Sequence, residues 1–423
     1  MAKDTATVRV VVVGAGPAGM AAAIAAAERG ARVTLCEQLA RPGVKLLATG
    51  GGRCNVTTTA EPGEVMSRFG RAGRFMAPAL GAMGPAALRE WLASLGVETC
   101  PDSAGRVYPT TNKAATVQAA LWDRCRALGV DVRLGREVTG LRLQECAVTA
   151  VDTSAGPEVA DCVILATGGR SYPHLGAAGS GYELARRVGH RIAEPTPALV
   201  GLVTREGWPG GLAGVSLPAT NVRIDLPRQP KAGVTGELLF THRGVSGPAV
   251  LDLSAEVAVL LGKHEAVPLR LSFLPGVAMD DWPRRMDAWR REHGRRRVAG
   301  LLAESLPAAL AGALCERAGL AGATLASQLS AAAATALAER LANCPLHAVG
   351  TEGWGRAMVT RGGVRLKEVR PETLESRIVA GLHFAGELLD LDGPCGGYNL
   401  TWAFAAGWLA GTAALTQRNR GPE

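Results

Sequence analysis

The chain has 423 residues, of which 47% are hydrophobic and 20% charged. That balance excludes a disordered polymer, and the length exceeds one ordinary core, so two or three packed units are expected. The formal net charge of +8 favours acidic or phosphate-bearing ligands without specifying one. Nine cysteines show no CxxC and no paired spacing, which argues against a disulfide scaffold or a zinc module and for a reduced, cytoplasmic protein with no metal site. Cys36 and Cys162 lie in apolar runs and read as buried, inert thiols.

In chain order, VRVVVVG reads as a strand, GAGPAG as a tight turn, MAAAIAAAERG as a helix and ARVTLCE as a second strand, a βαβ start. Residues 10–27 are almost all apolar and resemble a signal peptide or a membrane span, but three glycines and a proline interrupt them. A strand, a turn and a buried helix account for the run better. The run 402–415 is too short to cross a bilayer, and no membrane association is expected. After ATGGGRCNVT (48–57) come helical patterns at 85–95 and 113–128, then short strands at 130–134, 138–143 and 147–151. DCVILATGG (161–169) reads as a buried parallel strand ending in glycines. Composition shifts at Pro195 and Pro197. The segments LVGLVT, TNVRIDL, GELLFT and VPLRLSF then suggest a small, barrel-like β unit. Residues 282–343 look helical, broken by Gly294, Gly300, Pro307 and Gly319, and strands return after Pro345. The expected fold class is α/β: a Rossmann-like dinucleotide-binding domain with a parallel sheet, followed by a β-barrel-like unit and a helical region before strands return. The expected boundaries are 1–195, 196–345 and 346–423.

The strongest motif is Gly14-Ala15-Gly16-Pro17-Ala18-Gly19, after a strand and at the start of a helix. Gly14 permits the tight turn, Gly16 lets backbone approach a pyrophosphate, and Gly19 allows close packing of helix on strand. Glu37 ends the second strand, where a carboxylate accepts hydrogen bonds from an adenosine ribose; Gln38 follows it. Near the far end, HFAGE brings Gly386 and Glu387 to the end of a strand, where Glu387 can hold ribityl hydroxyls. Gly396, Gly397, Tyr398 and Asn399 then open a long apolar helix, whose bare N–H groups suit the negative charge that a reduced flavin develops. Thr167 and Gly168 close the strand beside the adenine half; alone they are equally a strand-end turn.

Five runs together, KLLATGGGRCNVT, ATGGRSYPHLGAAGSGYELA, THRGVSGPAVLDLS, TRGGV and GELLDLDGPCGGYN, resemble the BaiN-like group of bacterial NAD(P)/FAD-dependent oxidoreductases, in the same order over nearly the whole chain. The resemblance implies a two-part FAD-binding domain interrupted by an inserted β-barrel plus helical domain, NAD(P)H as reductant, and reduction of a carbon–carbon double bond in substrates as unlike as a steroid acid and a uridine of ribosomal RNA. With no tether evident in the sequence, the FAD is expected to be non-covalent. It leaves the substrate open. In this chain Pro394-Cys395 stands where relatives often have threonine before the Gly-Gly-Tyr-Asn segment. The implied chemistry moves hydride from NAD(P)H through flavin N5 to a conjugated alkene, with an acid supplying the proton.

His242, Cys54 and Tyr398 are the candidate acids. His242 is equally a structural histidine in a turn that, by resemblance, faces the flavin. In ATGGGRCNVT, Gly51 and Gly52 let backbone pass close to the cofactor, with Lys45, Arg53, Cys54 and Asn55 as further cofactor-binding candidates. Residues 284–297 hold Arg284, Arg285, Arg290, Arg291, Arg295, Arg296 and Arg297 around Trp289. This run can clamp RNA with an indole stacked on a base, or simply form a solvated helix face. The alternatives to a small-alkene reductase are therefore a uridine reductase acting on RNA and a flavin-bearing RNA-binding or redox-sensing protein.

Overall fold

A computed structural model describes residues 7–415; the outermost residues of the first and third expected domains lie outside them. The chain forms two compact units. One is made from Met1–Thr196 and Met358–Glu423, the other from Pro197–Ala357.

The first unit is built on a five-stranded parallel sheet. Strands β1 (Arg9–Val13), β2 (Arg32–Glu37), β3 (Asp131–Leu134), β4 (Cys162–Leu165) and β5 (Leu382–Phe384) lie in the order β5-β4-β1-β2-β3. Every pairing is parallel, with Val10 opposite both Cys162 and Val33. β1 and β4 are continuous apolar runs, as strands covered on both faces require. Helix α1 (Pro17–Ala27) follows β1 and is buried over nearly its whole length. The apolar run at 10–27 is thus a central strand and a core helix. The long C-terminal helix α2 (Tyr398–Ala413) lies directly on α1. A Cβ at Gly407 would strike the Ala18 carbonyl, and one at Gly411 the Ala22 carbonyl, so alanine and glycine let the two backbones meet. No described helix is long and apolar enough to cross a membrane.

The second unit holds a closed six-stranded barrel in the order Leu202–Thr204, Gly244–Ser246, Val234–Thr241, Ser216–Ile224, Val267–Ser272, Cys344–Thr351. Val267–Ser272 alternates buried and half-buried positions, the period of a barrel wall. Its core contains Phe240 and Phe273 and continues into the helices Trp282–Glu292, Ala308–Arg317 and Ala331–Ala342.

Two features differ from the sequence reading. The strand after Pro345 does not begin a third segment of the first unit: Cys344–Thr351 pairs with Val267–Ser272 and with Leu202–Thr204 and so closes the barrel. The chain re-enters the first unit at Met358. The helix Pro248–Leu261, inside a stretch read as strands, was also not anticipated.

Candidate functional site

The glycine loop joins β1 to α1. Gly14 has φ +101, and a Cβ there would lie 2.6 Å from the Ala166 carbonyl oxygen. Gly14 N donates to Cys36 O at 2.7 Å, tying the loop to the neighbouring strand. Gly16 is the N-cap of α1, Pro17 opens the helix, and Ala18 and Gly19 are buried. A Cβ at Gly19 would collide with the Gly14 carbonyl, whereas one at Gly16 would meet nothing within 4 Å. The first and third glycines therefore serve packing, and the middle one bares backbone at a helix N-terminus. Glu37 turns back onto this loop: Ala15 N donates to Oε2 at 2.7 Å and Leu39 N to Oε1 at 2.9 Å. Burial pushes its carboxyl above the ordinary range, against the pull of those N–H groups. Gln38 Nε2 donates to Gly176 O at 2.5 Å.

A second polar centre joins four segments distant in sequence. Lys45 Nζ donates to Glu387 Oε2 and to Ser171 Oγ, both at 2.6 Å. Thr360 N donates to Glu387 Oε1 at 2.7 Å. Arg170 N donates to Thr360 Oγ1 at 2.7 Å. The Ser171 hydroxyl lies 3.0 Å from Glu387 Oε1 and 3.2 Å from Met358 O. Gly169 leaves room for this cluster, since a Cβ there would lie 2.8 Å from Glu387 Oε1. Next to it Gly168, with φ +74, meets nothing within 4 Å, and Thr167 Oγ1 is buried without a partner. Gly386, with φ +70, packs against Ala18, and its carbonyl accepts from Trp402 Nε1 at 3.1 Å.

The segment 48–57 runs through consecutive left-handed glycines, Gly50, Gly51 and Gly52, at φ 57, 67 and 87, a path closed to most side chains. A Cβ on Gly51 would face open space. Arg53 lies over the Tyr108 ring, 4.9 Å from its centroid, and bonds Gly50 O through Nε at 3.2 Å. Cys54 is left-handed at φ 61 and fully buried, and burial pushes its thiol up to about 11. It remains a protonated thiol at neutral pH. Asn55 Oδ1 is buried without a partner and would lie 2.9 Å from a Cβ on Gly397.

This same Gly397, at φ 92, caps α2. Thr57 Oγ1 and Thr401 Oγ1 share a hydrogen bond of 2.7 Å, which fastens the 48–57 segment to the first turn of that helix. At Gly396, φ is +131 and the Tyr398 ring closes in. Tyr398, at the first position of α2, carries the Arg68 guanidinium 5.9 Å from its ring centroid. The Asn399 side chain is engaged by its own loop: Oδ1 accepts from Gly393 N at 2.8 Å, and Nδ2 donates to Gly393 O at 2.8 Å and Pro394 O at 3.3 Å. Asn399 shapes the loop before the helix.

Sequence reading named none of Ser171, Thr360, Thr57 and Thr401 as site residues, although Thr57, Ser171 and Thr360 lie inside the runs that carry the resemblance. It also overlooked Asp390 and Asp392. Arg361 Nε lies 3.2 Å from each oxygen of Asp392. Burial first, and the other carboxylate second, raise Asp390; burial alone leads the rise of Asp392. Among the described residues no group of three His, Cys, Asp or Glu forms a candidate metal site.

Two sequence candidates lie in the barrel unit. His242 is exposed in the turn between Val234–Thr241 and Gly244–Ser246. The basic run, open to two readings from sequence, takes the second of them. Trp282 is buried, and Trp289, half-buried, meets it edge-on at 6.4 Å, so both indoles pack into the helical core. Arg284 pairs with Asp281, Arg290 with Asp287 and Arg296 with Glu304. This is a solvated helix face with local ion pairs.

A family model described as "HI0933-like protein Rossmann domain" matches residues 8–413. The 3-dehydro-bile acid delta(4,6)-reductase of Clostridium scindens is 37% identical, over 96% of this chain and 98% of that protein. The ribosomal RNA dihydrouridine synthase of Escherichia coli is 31% identical, over 94% of this chain and 96% of that protein. Among solved structures, a 3-ketosteroid delta1-dehydrogenase from Sterolibacterium denitrificans superposes with a TM-score of 0.54 at 14% identity, covering 97% of this chain and 99% of that one. The FrdA chain of Escherichia coli quinol fumarate reductase gives 0.52 at 16%, covering 99% and 72%. These two likenesses are of fold.

Proposed function

The chain belongs to the HI0933-like Rossmann family, and from that premise we propose that it is an FAD-dependent oxidoreductase that saturates a conjugated carbon–carbon double bond with reducing equivalents from NAD(P)H. The observation that carries this reading is the loop at residues 14–19, with Gly16 bare at the half-buried N-terminus of a core helix and Glu37 folded against Ala15. The bare backbone at Gly51 and Gly168 and the unpartnered, buried Asn55 Oδ1 fit the same ligand. Both relatives, a delta(4,6)-reductase and a dihydrouridine synthase by name, saturate ring double bonds.

Bound FAD would supply a two-electron carrier with N5 as the hydride-transferring atom. The α1 N-terminus and the Gly14 loop would take the diphosphate. Glu37 would offer its remaining acceptor capacity to the ribose while holding the loop with the rest. Lys45, Ser171 and Thr360 fix the Glu387 carboxylate for the ribityl chain. The N-terminus of α2, behind Gly396 and Gly397, would face the pyrimidine edge and favour negative charge there. For the proton, Tyr398 and His242 are the assignments to test. The buried, protonated Cys54 suits packing better. The higher identity to the bile-acid reductase favours a small conjugated substrate over RNA.

Purified protein should be yellow and should bleach anaerobically with NADH or NADPH. Conjugated ring enones or dienes from a panel should then re-oxidise the bleached protein and be recovered with the double bond saturated. Colourless protein that takes up no FAD overturns the reading. Loss of dihydrouridine from ribosomal RNA in a deletion strain, without turnover of the small enones, transfers it to the RNA substrate.

A further inference from the structure

Among the described residues the first unit has one glycine-rich loop of the Gly14–Gly19 type, so a nicotinamide nucleotide would need another place for its phosphates. Arg71 and Arg74 offer one. They are exposed on the 3-10 helix Gly70–Met76, whose buried residues are Gly73 and Met76. Positions three apart on such a helix eclipse, so the two side chains leave the same edge, with their Cα atoms about 6 Å apart along the axis. Among the described residues neither has an acidic partner or a side-chain hydrogen bond. One turn earlier, Arg68 is paired with Glu64 at 3.0 Å and lies over Tyr398.

The segment is anchored beside the candidate flavin end. A Cβ on Gly393 would lie 2.6 Å from the Phe69 ring, so the two are in close packing. Phe75 meets Trp402 of α2 edge-on at 6.3 Å. A Cβ on Gly73 would strike the Met66 carbonyl, so the 3-10 helix is clamped to the helix before it. Two unneutralised, forked donors are thus held on a rigid turn, next to the loop and helix start that would receive the isoalloxazine.

We propose that Arg71 and Arg74 form the docking site for the phosphates of the nicotinamide dinucleotide reductant, placing its nicotinamide toward Tyr398. Each guanidinium presents parallel N–H groups that match a phosphate oxygen pair. This deepens the proposed function and rests on it.

The test uses the FAD-loaded protein and the double variant Arg71→Gln/Arg74→Gln, with Arg71→Lys/Arg74→Lys as the charge-retaining control. Anaerobic stopped-flow reduction gives the nucleotide concentration for half-saturation and the limiting rate. The expected result is a rise of about 10- to 100-fold in half-saturation, the loss that follows from removing charge-assisted bonds to phosphate. The limiting rate, FAD content and rate of photochemical reduction should stay unchanged, and the lysine pair should recover part of the affinity. Inorganic pyrophosphate should compete with the nucleotide in the wild type and lose that competition in the double variant. Normal reduction of the wild type with unchanged half-saturation in the variant overturns the arginine site and leaves the oxidoreductase intact. A wild type that neither nucleotide reduces overturns both the donor and this site. Unchanged nucleotide affinity with lost binding of a single-stranded RNA oligomer assigns the arginines to RNA phosphates, and the proposal fails.

Discussion

Replacing Lys45 by methionine keeps the aliphatic stem and deletes the ammonium that joins Glu387 and Ser171. In the native protein Lys45 and Glu387 side chains are 24% and 20% exposed, with a 2.6 Å pair between them. Breaking a fully buried pair costs about 3–5 kcal/mol, and an exposed one contributes about 0–1 kcal/mol. Partial exposure places Lys45→Met between these limits. Glu387 also keeps the Thr360 N–H bond, so a loss of about 2 kcal/mol is expected. Glu387→Gln should cost a similar amount, since it leaves the ammonium with only neutral partners. The double variant should be more stable than the sum of the singles predicts, by about 1–2 kcal/mol of coupling. Urea unfolding at one fixed FAD concentration measures all four proteins, because bound ligand shifts apparent stability. Release of FAD on dilution should quicken in both single variants. Single losses that add to the double within about 0.3 kcal/mol would show that the pair is not coupled and would refute the network as drawn.

Gly14→Ala forces a Cβ 2.6 Å from the Ala166 carbonyl at φ +101; it should lose about 1–3 kcal/mol and retain FAD poorly, as thermal melting and the absorbance of the purified protein would show. Cys54→Ala should turn over normally, and iodoacetamide near neutral pH should label exposed Cys100 and Cys146 but not Cys54; early labelling of Cys54 would reverse its assignment to packing. Trp282→Ala should destabilise the barrel unit by about 3–5 kcal/mol, whereas replacing exposed Arg295 and Arg297 should leave its unfolding midpoint in place. His190 and His383 are both buried, and burial lowers both below the usual histidine range, against Glu368 facing the first and Glu375 facing the second. Their stabilisation is complete above the unfolded value of about 6.5 and is lost as pH falls through that value, at up to about 1.4 kcal/mol per pH unit for each group. Urea midpoints compared between wild type and His383→Gln isolate one histidine from the carboxyls Glu37, Asp390 and Asp392, which are raised and act in the opposite sense; identical pH slopes in the two proteins would refute this.

Local patterns carried the βαβ start, the buried α1 and the barrel, because each depends on residues a few positions apart. Glu37 was found because its place is set by a strand whose length fixes where the carboxylate emerges. Ser171, Thr360 and Glu387 were not found as a set, although Glu387 was found alone. Their bonds join residues 27 to 216 positions apart, and nothing in a serine or a threonine announces such a partner. Pro345 misled for a related reason: it reads as a boundary, yet Arg270 pairs opposite it inside the barrel wall. Trp282 and the arginines around it show that composition gives the charge of a helix but not which side its indoles take.

The residues read as cofactor handles divide into two physical kinds. Glu37, Lys45, Glu387 and Asn399 have their polar atoms engaged within the chain, so they shape backbone before any ligand arrives. Gly16, Gly51 and Gly168 have open space where a side chain would stand, and there the backbone itself is the recognition surface. A ligand bound mainly through backbone N–H groups meets a site that is already ordered and loses little affinity to reorganisation. Truncating one of the engaged side chains should therefore act on the shape of the loop and on the lifetime of the complex. Adding a methyl group at Gly16 should act on the ligand directly, with little effect on the stability of the ligand-free protein. The difference between those two patterns, read from unfolding of the apoprotein and from FAD affinity, distinguishes a preformed cradle from one that the cofactor folds around itself.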